Sequence, residues 1–229
     1  MNQTTSTAAI ILAAGSSSRM KDGQHKLLLP LDGRPVLTHV LDATLASKAR
    51  PIVLVLGHNA EYVRTYLTPY LSSSDIIIVE NTSYLQGMST SMHVGLATLQ
   101  DIISHGYRKF NVDSAVILLG DQPLITANVI DMLIATRQTS GKLIVAPLYN
   151  GKRGNPVLFA NSLFAELMEV VGDEGGRSVV EQHKQELATV EVSDVAANYD
   201  MDTWEAYQEV LTMWQRQRNQ RIEEQKTEQ

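Results

Sequence analysis

Short apolar runs alternate along the chain with longer stretches in which apolar residues recur at helical spacing. Runs over 8–12, 52–56, 75–79, 114–119 and 143–147 have the length and β-branched content of buried strands and end at Gly, Pro, Asn or Ser. Between them, apolar periodicity predicts helices over about 35–47, 60–70, 89–103 and 126–139. Shorter helices follow over 161–170 and 176–184, with an alternating, half-exposed strand at 187–192 and a final helix from Trp204. Strands and helices in this alternation imply parallel pairing with right-handed crossovers, hence a three-layer α/β/α domain with a mostly parallel sheet. One domain over 8–213 is expected, between a polar, flexible N-terminus (1–7) and a polar C-terminal stretch (214–229) where the apolar stripe stops.

Composition narrows the class. At 229 residues, 44% hydrophobic and 19% charged, the chain can bury a sizeable core. Its net charge of −6 argues against a general nucleic-acid or anionic-membrane surface and makes the clustered Arg19, Lys21 and Lys26 stand out locally. Without cysteine there are no disulfides, thiolate metal sites or cysteine nucleophiles. The first apolar run is too short and badly flanked for a signal peptide or membrane span, so a cytoplasmic protein is expected.

The first run opens into Leu12-Ala13-Ala14-Gly15-Ser16-Ser17-Ser18-Arg19-Met20, a loop of small residues at a strand's carboxyl end, where open α/β sheets bind ligands. Its backbone N–H groups are approachable by an anion, Arg19 adds a planar fork for phosphate oxygens, and Lys26 adds a second cation. The segment from Ala13 to Lys26 therefore reads as a triphosphate cradle, although it matches neither the P-loop nor the dinucleotide fingerprint. An ordinary Ser-rich turn is the competing reading.

Asp121 follows a hydrophobic strand at its carboxyl end, within Gly120-Asp121-Gln122-Pro123. A carboxylate there suits Mg²⁺, which takes one or two protein carboxylates plus substrate phosphates. The alternative is a turn or a cap for the next helix. Asp200 and Asp202 flank Met201 at the start of the last helix, and one of them can complete the metal site, unless Asp202 is an N-cap. Gly87 permits unusual backbone angles, Ser89 reads as the N-cap of the 89–103 helix, and that helix start can receive an anion or a ribose hydroxyl. Met88 and Met92 read as core. The six histidines show no metal-ligand spacing, and the Ser16–Ser18 hydroxyls have no evident base.

Taken in order, the Leu12–Met20 loop with Lys26, Gly87-Met88-Ser89-Thr90-Ser91-Met92, Gly120-Asp121-Gln122-Pro123, Gly154-Asn155-Pro156-Val157-Leu158-Phe159, Gly172-Asp173-Glu174-Gly175-Gly176-Arg177 and Asp200-Met201-Asp202-Thr203 resemble the molybdenum cofactor nucleotidyltransferase family. The cytidylyltransferase branch is the closer likeness, since Ala14 stands where the guanylyl branch tends to carry Gly. The resemblance implies a Rossmann-like nucleotidyltransferase fold and Mg²⁺-dependent transfer of a nucleoside monophosphate, CMP from CTP (or GMP from GTP), onto a molybdopterin-type phosphate with release of pyrophosphate. It implies that Leu12, Ala13, Ala14, Gly15, Ser16, Gly87 and Ser89 border the nucleotide and that Arg19, Lys26 and Asp121 act in catalysis. Asp121 and Asp202 would hold Mg²⁺, while Asn155, Pro156, Gly175 and Arg177 would face the acceptor. A molybdoenzyme or its chaperone would be the downstream partner.

One departure bears on geometry. Lys21-Asp22-Gly23-Gln24-His25 makes the Met20-to-Lys26 spacing about two residues longer than the family's usual one, so either Lys21 shares the lysine's role or the extra residues bulge outward. Two other functions stay open: transfer onto a sugar or alcohol phosphate, and a non-catalytic carrier of the finished cofactor.

Overall fold

The computed structural model describes residues 6–17, 20, 24–105 and 111–227, the side chains of 105 and 220–227 excepted. In chain order its elements are β1 (Ser6–Ala13), β2 (Pro30–Leu31), β3 (Arg34–Pro35), α1 (Val36–Ala46), β4 (Ile52–Leu56), α2 (Ala60–Tyr66), β5 (Ile76–Glu80) and α3 (Met88–His105). They continue with β6 (Val112–Leu119), α4 (Ala127–Ser140), β7 (Ile144–Tyr149), β8 (Lys152–Arg153), β9 (Val157–Ala160), α5 (Phe164–Met168), α6 (Arg177–Gln182), β10 (Leu187–Glu191) and α7 (Trp204–Thr227). The fold is Rossmann-like α/β with a mostly parallel central sheet, as expected.

The main sheet runs β10-β7-β9-β6-β1-β4-β5, with β8 attached to β7. Strand β1 is parallel to β4 and β6, as β5 is to β4 and β10 to β7. Strand β9 breaks the pattern by lying antiparallel between β6 and β7. The link from Tyr149 to Val157 is too short for the crossover that parallel pairing requires, so the chain turns back on itself there.

Alternation along β1 divides the core. Ala9, Ile11 and Ala13 face α1, α2 and α4, while Ala8, Ile10 and Leu12 face α3, α5 and α6. Because both faces are covered, β1 reads as an unbroken apolar run. A smaller cluster beneath α7 joins Leu31, Val36, Met201, Tyr207 and Val210. Helix α7 passes through Trp214, whose ring meets His39 edge-on at 4.5 Å, and continues to Thr227. Among the described residues no helix is long and apolar enough to cross a membrane.

Phe159 on β9 is 1% exposed and is the largest fully buried side chain. Phe159→Ala is expected to lower unfolding free energy by about 3–5 kcal/mol in denaturant titration, from lost transfer energy and a cavity the packed sheet cannot close. A loss under about 1 kcal/mol would show that the site collapses freely.

Candidate active site

The loop after β1 is set from behind by the β4–α2 turn. Gly57 packs so closely that a Cβ there would lie 2.6 Å from the Ala14 Cβ, and the His58 N–H donates to the Ala14 carbonyl at 3.1 Å. Ser17 adopts the left-handed region (φ 55°), turning the chain back so that its Oγ accepts the Lys26 N–H at 3.1 Å. The longer Met20-to-Lys26 segment therefore leaves Lys26 at the cradle. Lys21 and Arg19 lie outside the described residues.

Gly120 brings the second component in. Its N–H donates to the Leu12 carbonyl at 2.8 Å, and a Cβ there would stand 3.0 Å from that of Ala13, so β6 can end hard against β1 and deliver Asp121 beside the loop. The Met201 N–H donates to the Asp121 carbonyl at 3.2 Å, which docks the Asp200–Asp202 segment on the same strand end. Lys26 Nζ then lies 2.5 Å from Asp121 Oδ2 and 2.8 Å from Asp202 Oδ1. Burial alone would lower the Lys26 pKa, but Asp121 and then Asp202 outweigh it and hold the ammonium above its ordinary value.

Threonines supply the caps of the two helices that follow these acids. Thr126 Oγ1 accepts from the Val129 N–H at the start of α4, and Thr203 Oγ1 accepts from the Ala206 N–H at the start of α7. Asp200 turns to Gln122, whose Nε2 donates to it at 2.6 Å. Burial chiefly, helped by the Asp121 and Asp202 charges, pushes the Asp200 carboxyl above the usual range. A carboxyl raised by folding stabilises the protein below its unfolded pKa, and that contribution is lost as pH rises through the folded value. Asp200→Asn keeps the shape without the charge. It is expected to melt higher than wild type at pH 7, with the gap closing toward about pH 4; equal melting temperatures at pH 7 would contradict the burial effect.

These groups line one cavity of about 480 Å³, bordered by Leu12, Ala13, Ala14, Gly15, Ser16, Lys26, Gly87, Asp121 and Asp202. Ser89 is absent from it. Helix α3 begins at Met88, so Ser89 is inside the helix rather than its N-cap; it is buried and gives its N–H to the Gly172 carbonyl at 2.9 Å. The helix start is likewise already engaged, since Asp173 Oδ1 accepts the Met88 N–H at 2.9 Å. Gly87 faces the same turn: at φ 113° it presses on Gly172, where a Cβ would fall 2.6 Å from backbone. Sequence reasoning missed Asp173, Tyr84, Leu85 and Ser91, which also line the cavity. Ser91 was legible in principle, three positions after Met88 and so one helical turn along the same face.

A second cavity of about 590 Å³ adjoins the first and shares Leu12, Met88, Leu119, Asp173 and Asp200 with it. Asn155, Gly175 and Arg177 line it, whereas Pro156, buried behind a cis peptide, does not. The Asn155 N–H donates to Asn198 Oδ1 at 2.9 Å, and Gly154 packs on that side chain, which holds the turn in place. Met92 and Phe159 contribute an apolar floor, and Lys152 and Arg177 add positive charge at the wall; Arg153 is paired with Glu181. Met88 and Met92 thus border ligand space as well as core.

Two carboxylates close enough for one ammonium to span them present hard oxygens to a common point, which fits Mg²⁺ or Mn²⁺ completing its shell with water and phosphate. Among the described residues no group of three or more His, Asp or Glu is placed to hold a metal unaided.

Comparison with known proteins agrees with this architecture. The bifunctional protein GlmU of Sinorhizobium fredii is 38% identical over 119 residues, 52% of this chain and 24% of that protein. The chain spans about a quarter of the length of such curated relatives. The crystal structure of Rv0371c from Mycobacterium tuberculosis H37Rv superposes with a TM-score of 0.74 at 27% identity, covering 91% of this chain and 98% of that one. Its complex with manganese superposes at 0.70 and 26% identity, over 91% and 98%. With residues 9–187 matching it, the chain belongs to the family of the MobA-like NTP transferase domain.

Proposed function

We propose that this protein is a nucleotidyltransferase that moves a nucleoside monophosphate from a nucleoside triphosphate onto a phosphorylated acceptor, CMP from CTP being the favoured case. The observation that carries this reading is the convergence of the Ala13–Ser17 loop, Lys26, Asp121 and Asp202 on one cavity that opens directly into a second. The first cavity would take the triphosphate, its loop N–H groups and Lys26 meeting the phosphate oxygens. Asp121 and Asp202 would hold a divalent cation, which when bound would offset the triphosphate's charge; the manganese complex of the mycobacterial relative supports such an ion.

In the transfer, an acceptor phosphate oxygen attacks the α-phosphorus in line. A new P–O bond forms as the bond from the α-phosphorus to its β-bridging oxygen breaks, and pyrophosphate leaves with that electron pair. No general base is required, because the attacking oxygen is already ionised. Both reactants are anions, so the residues act by alignment and by fixed positive charge. The apolar floor of Met88, Met92 and Phe159 favours a flat heterocyclic acceptor of the molybdopterin type, with Arg177 and Lys152 toward its phosphate. A sugar or alcohol phosphate is the second reading, for which the polar rim of Asn155 and Asn198 would serve the hydroxyls.

Incubation with CTP, GTP or ATP, Mg²⁺ and either molybdopterin or a sugar phosphate, scored for pyrophosphate, tests both parts. Release that depends on CTP and molybdopterin is expected. Release with a sugar phosphate alone overturns the acceptor, and none with any pair overturns the transferase.

A further inference from the structure

His25 precedes Lys26 yet points away from the cavity. Its side chain is 8% exposed, and one ring nitrogen, Nε2, lies 3.1 Å from the His58 carbonyl. A carbonyl only accepts, which places the proton on Nε2. The His58 N–H in turn donates to the Ala14 carbonyl at 3.1 Å. The imidazole thus links the residue before Lys26, through the backbone of one residue of the β4–α2 turn, to the centre of the nucleotide loop. The His58 ring stands 5.7 Å from that of His25 and meets Tyr84, on the cavity wall, edge-on at 5.9 Å.

The two Nδ1 atoms, of His25 and of His58, are buried without hydrogen-bond partners among the described residues. An unsatisfied buried nitrogen costs at least as much as one neutral hydrogen bond returns, so packing alone does not account for imidazole at position 25. We propose that His25 is a positioning residue: neutral, with its proton on Nε2, it anchors the segment before Lys26 to the β4–α2 turn and so aims the ammonium into the nucleotide cavity. This rests on the nucleotidyltransferase reading.

Among the described residues, the groups facing the ring are Lys26 on its own segment and His58 on the turn. Burial chiefly holds the His25 pKa below the ordinary value; the bond to the His58 carbonyl opposes this, and the His58 and Lys26 charges add to it. Protonation would add a buried positive charge beside Lys26 and a Nδ1–H with no acceptor. Anchoring is therefore present at neutral pH and weakens as pH falls.

The test uses the full chain, binding of CTP, GTP and ATP with Mg²⁺, and two variants. His25→Phe fills the space without a donor, and His25→Gln keeps an N–H donor that does not titrate. His25→Phe is expected to raise the nucleotide Kd about tenfold, with kcat changed less than about threefold, while His25→Gln stays within about threefold of wild type. The acid limb of the wild-type Kd profile, which falls below the ordinary imidazole range, should move to lower pH in His25→Gln. Should His25→Phe fail to fold, the displaced limb in His25→Gln decides alone. Equal Kd values for Phe and wild type, a Gln variant as weak as Phe, or an unmoved acid limb would each overturn the positioning role. A wild-type protein that binds no nucleotide overturns the transferase reading and this role with it.

Discussion

Asp121→Asn is expected to cut pyrophosphate release by on the order of a thousandfold or more while leaving the fold intact. The carboxylate sits at the tip of β6 with its side chain 13% exposed, and its backbone carbonyl, which the substitution preserves, is what docks Met201. Asparagine keeps that docking and the side-chain volume, so melting temperature should change little. What goes is the negative charge that meets Lys26 and that would help to hold a divalent ion beside the triphosphate. Binding of Mn²⁺, followed by its spin-resonance signal, should weaken in parallel. Turnover near wild type would remove Asp121 from the chemistry whatever the cavity's shape.

Lys26→Met should lower kcat/KM by about a hundredfold, most of it in KM for the nucleotide, because one fixed cation facing a polyphosphate is lost. The same substitution has an opposite effect on the ion. Lys26 Nζ spans Asp121 and Asp202, with Asp200 close by, so its removal leaves carboxylates without their internal counter-charge. Mn²⁺ binding measured without nucleotide should therefore tighten even as catalysis fails. A purely structural lysine predicts the reverse, weaker binding in a loosened site, and titration calorimetry separates the two.

Much of this arrangement was legible because it depends on local grammar. A β-branched run ending in Ala-Ala-Gly-Ser marks a buried strand and the loop beyond it, and an acid immediately after the apolar run of β6 marks a strand tip. The antiparallel β9 was not anticipated, although the short link before it leaves no room for a parallel crossover. What sequence could not give depends on docking between distant segments. Ser89 has the chemistry of an N-cap, but the cap of α3 arrives from Asp173, far along the chain, and no local spacing signals a partner so remote. No local pattern singled out His58 in its Gly-His-Asn turn; what matters there is what its backbone touches, Ala14 through the N–H and His25 through the carbonyl. At the start of α7 the capping hydroxyl comes from Thr203, one residue after Asp202, whose carboxylate meets Lys26.

The turn carrying Gly172 and Asp173 is stapled to the first turn of α3, and Asp173 lines both cavities. The two adjoining cavities therefore share this side chain instead of owning separate walls. Under the proposed reading, acceptor preference could drift through Lys152, Asn155 or Arg177 without disturbing the triphosphate side, whereas a change at Asp173 would be read by both cavities at once. On that reading the freedom to acquire new acceptors stops at Asp173.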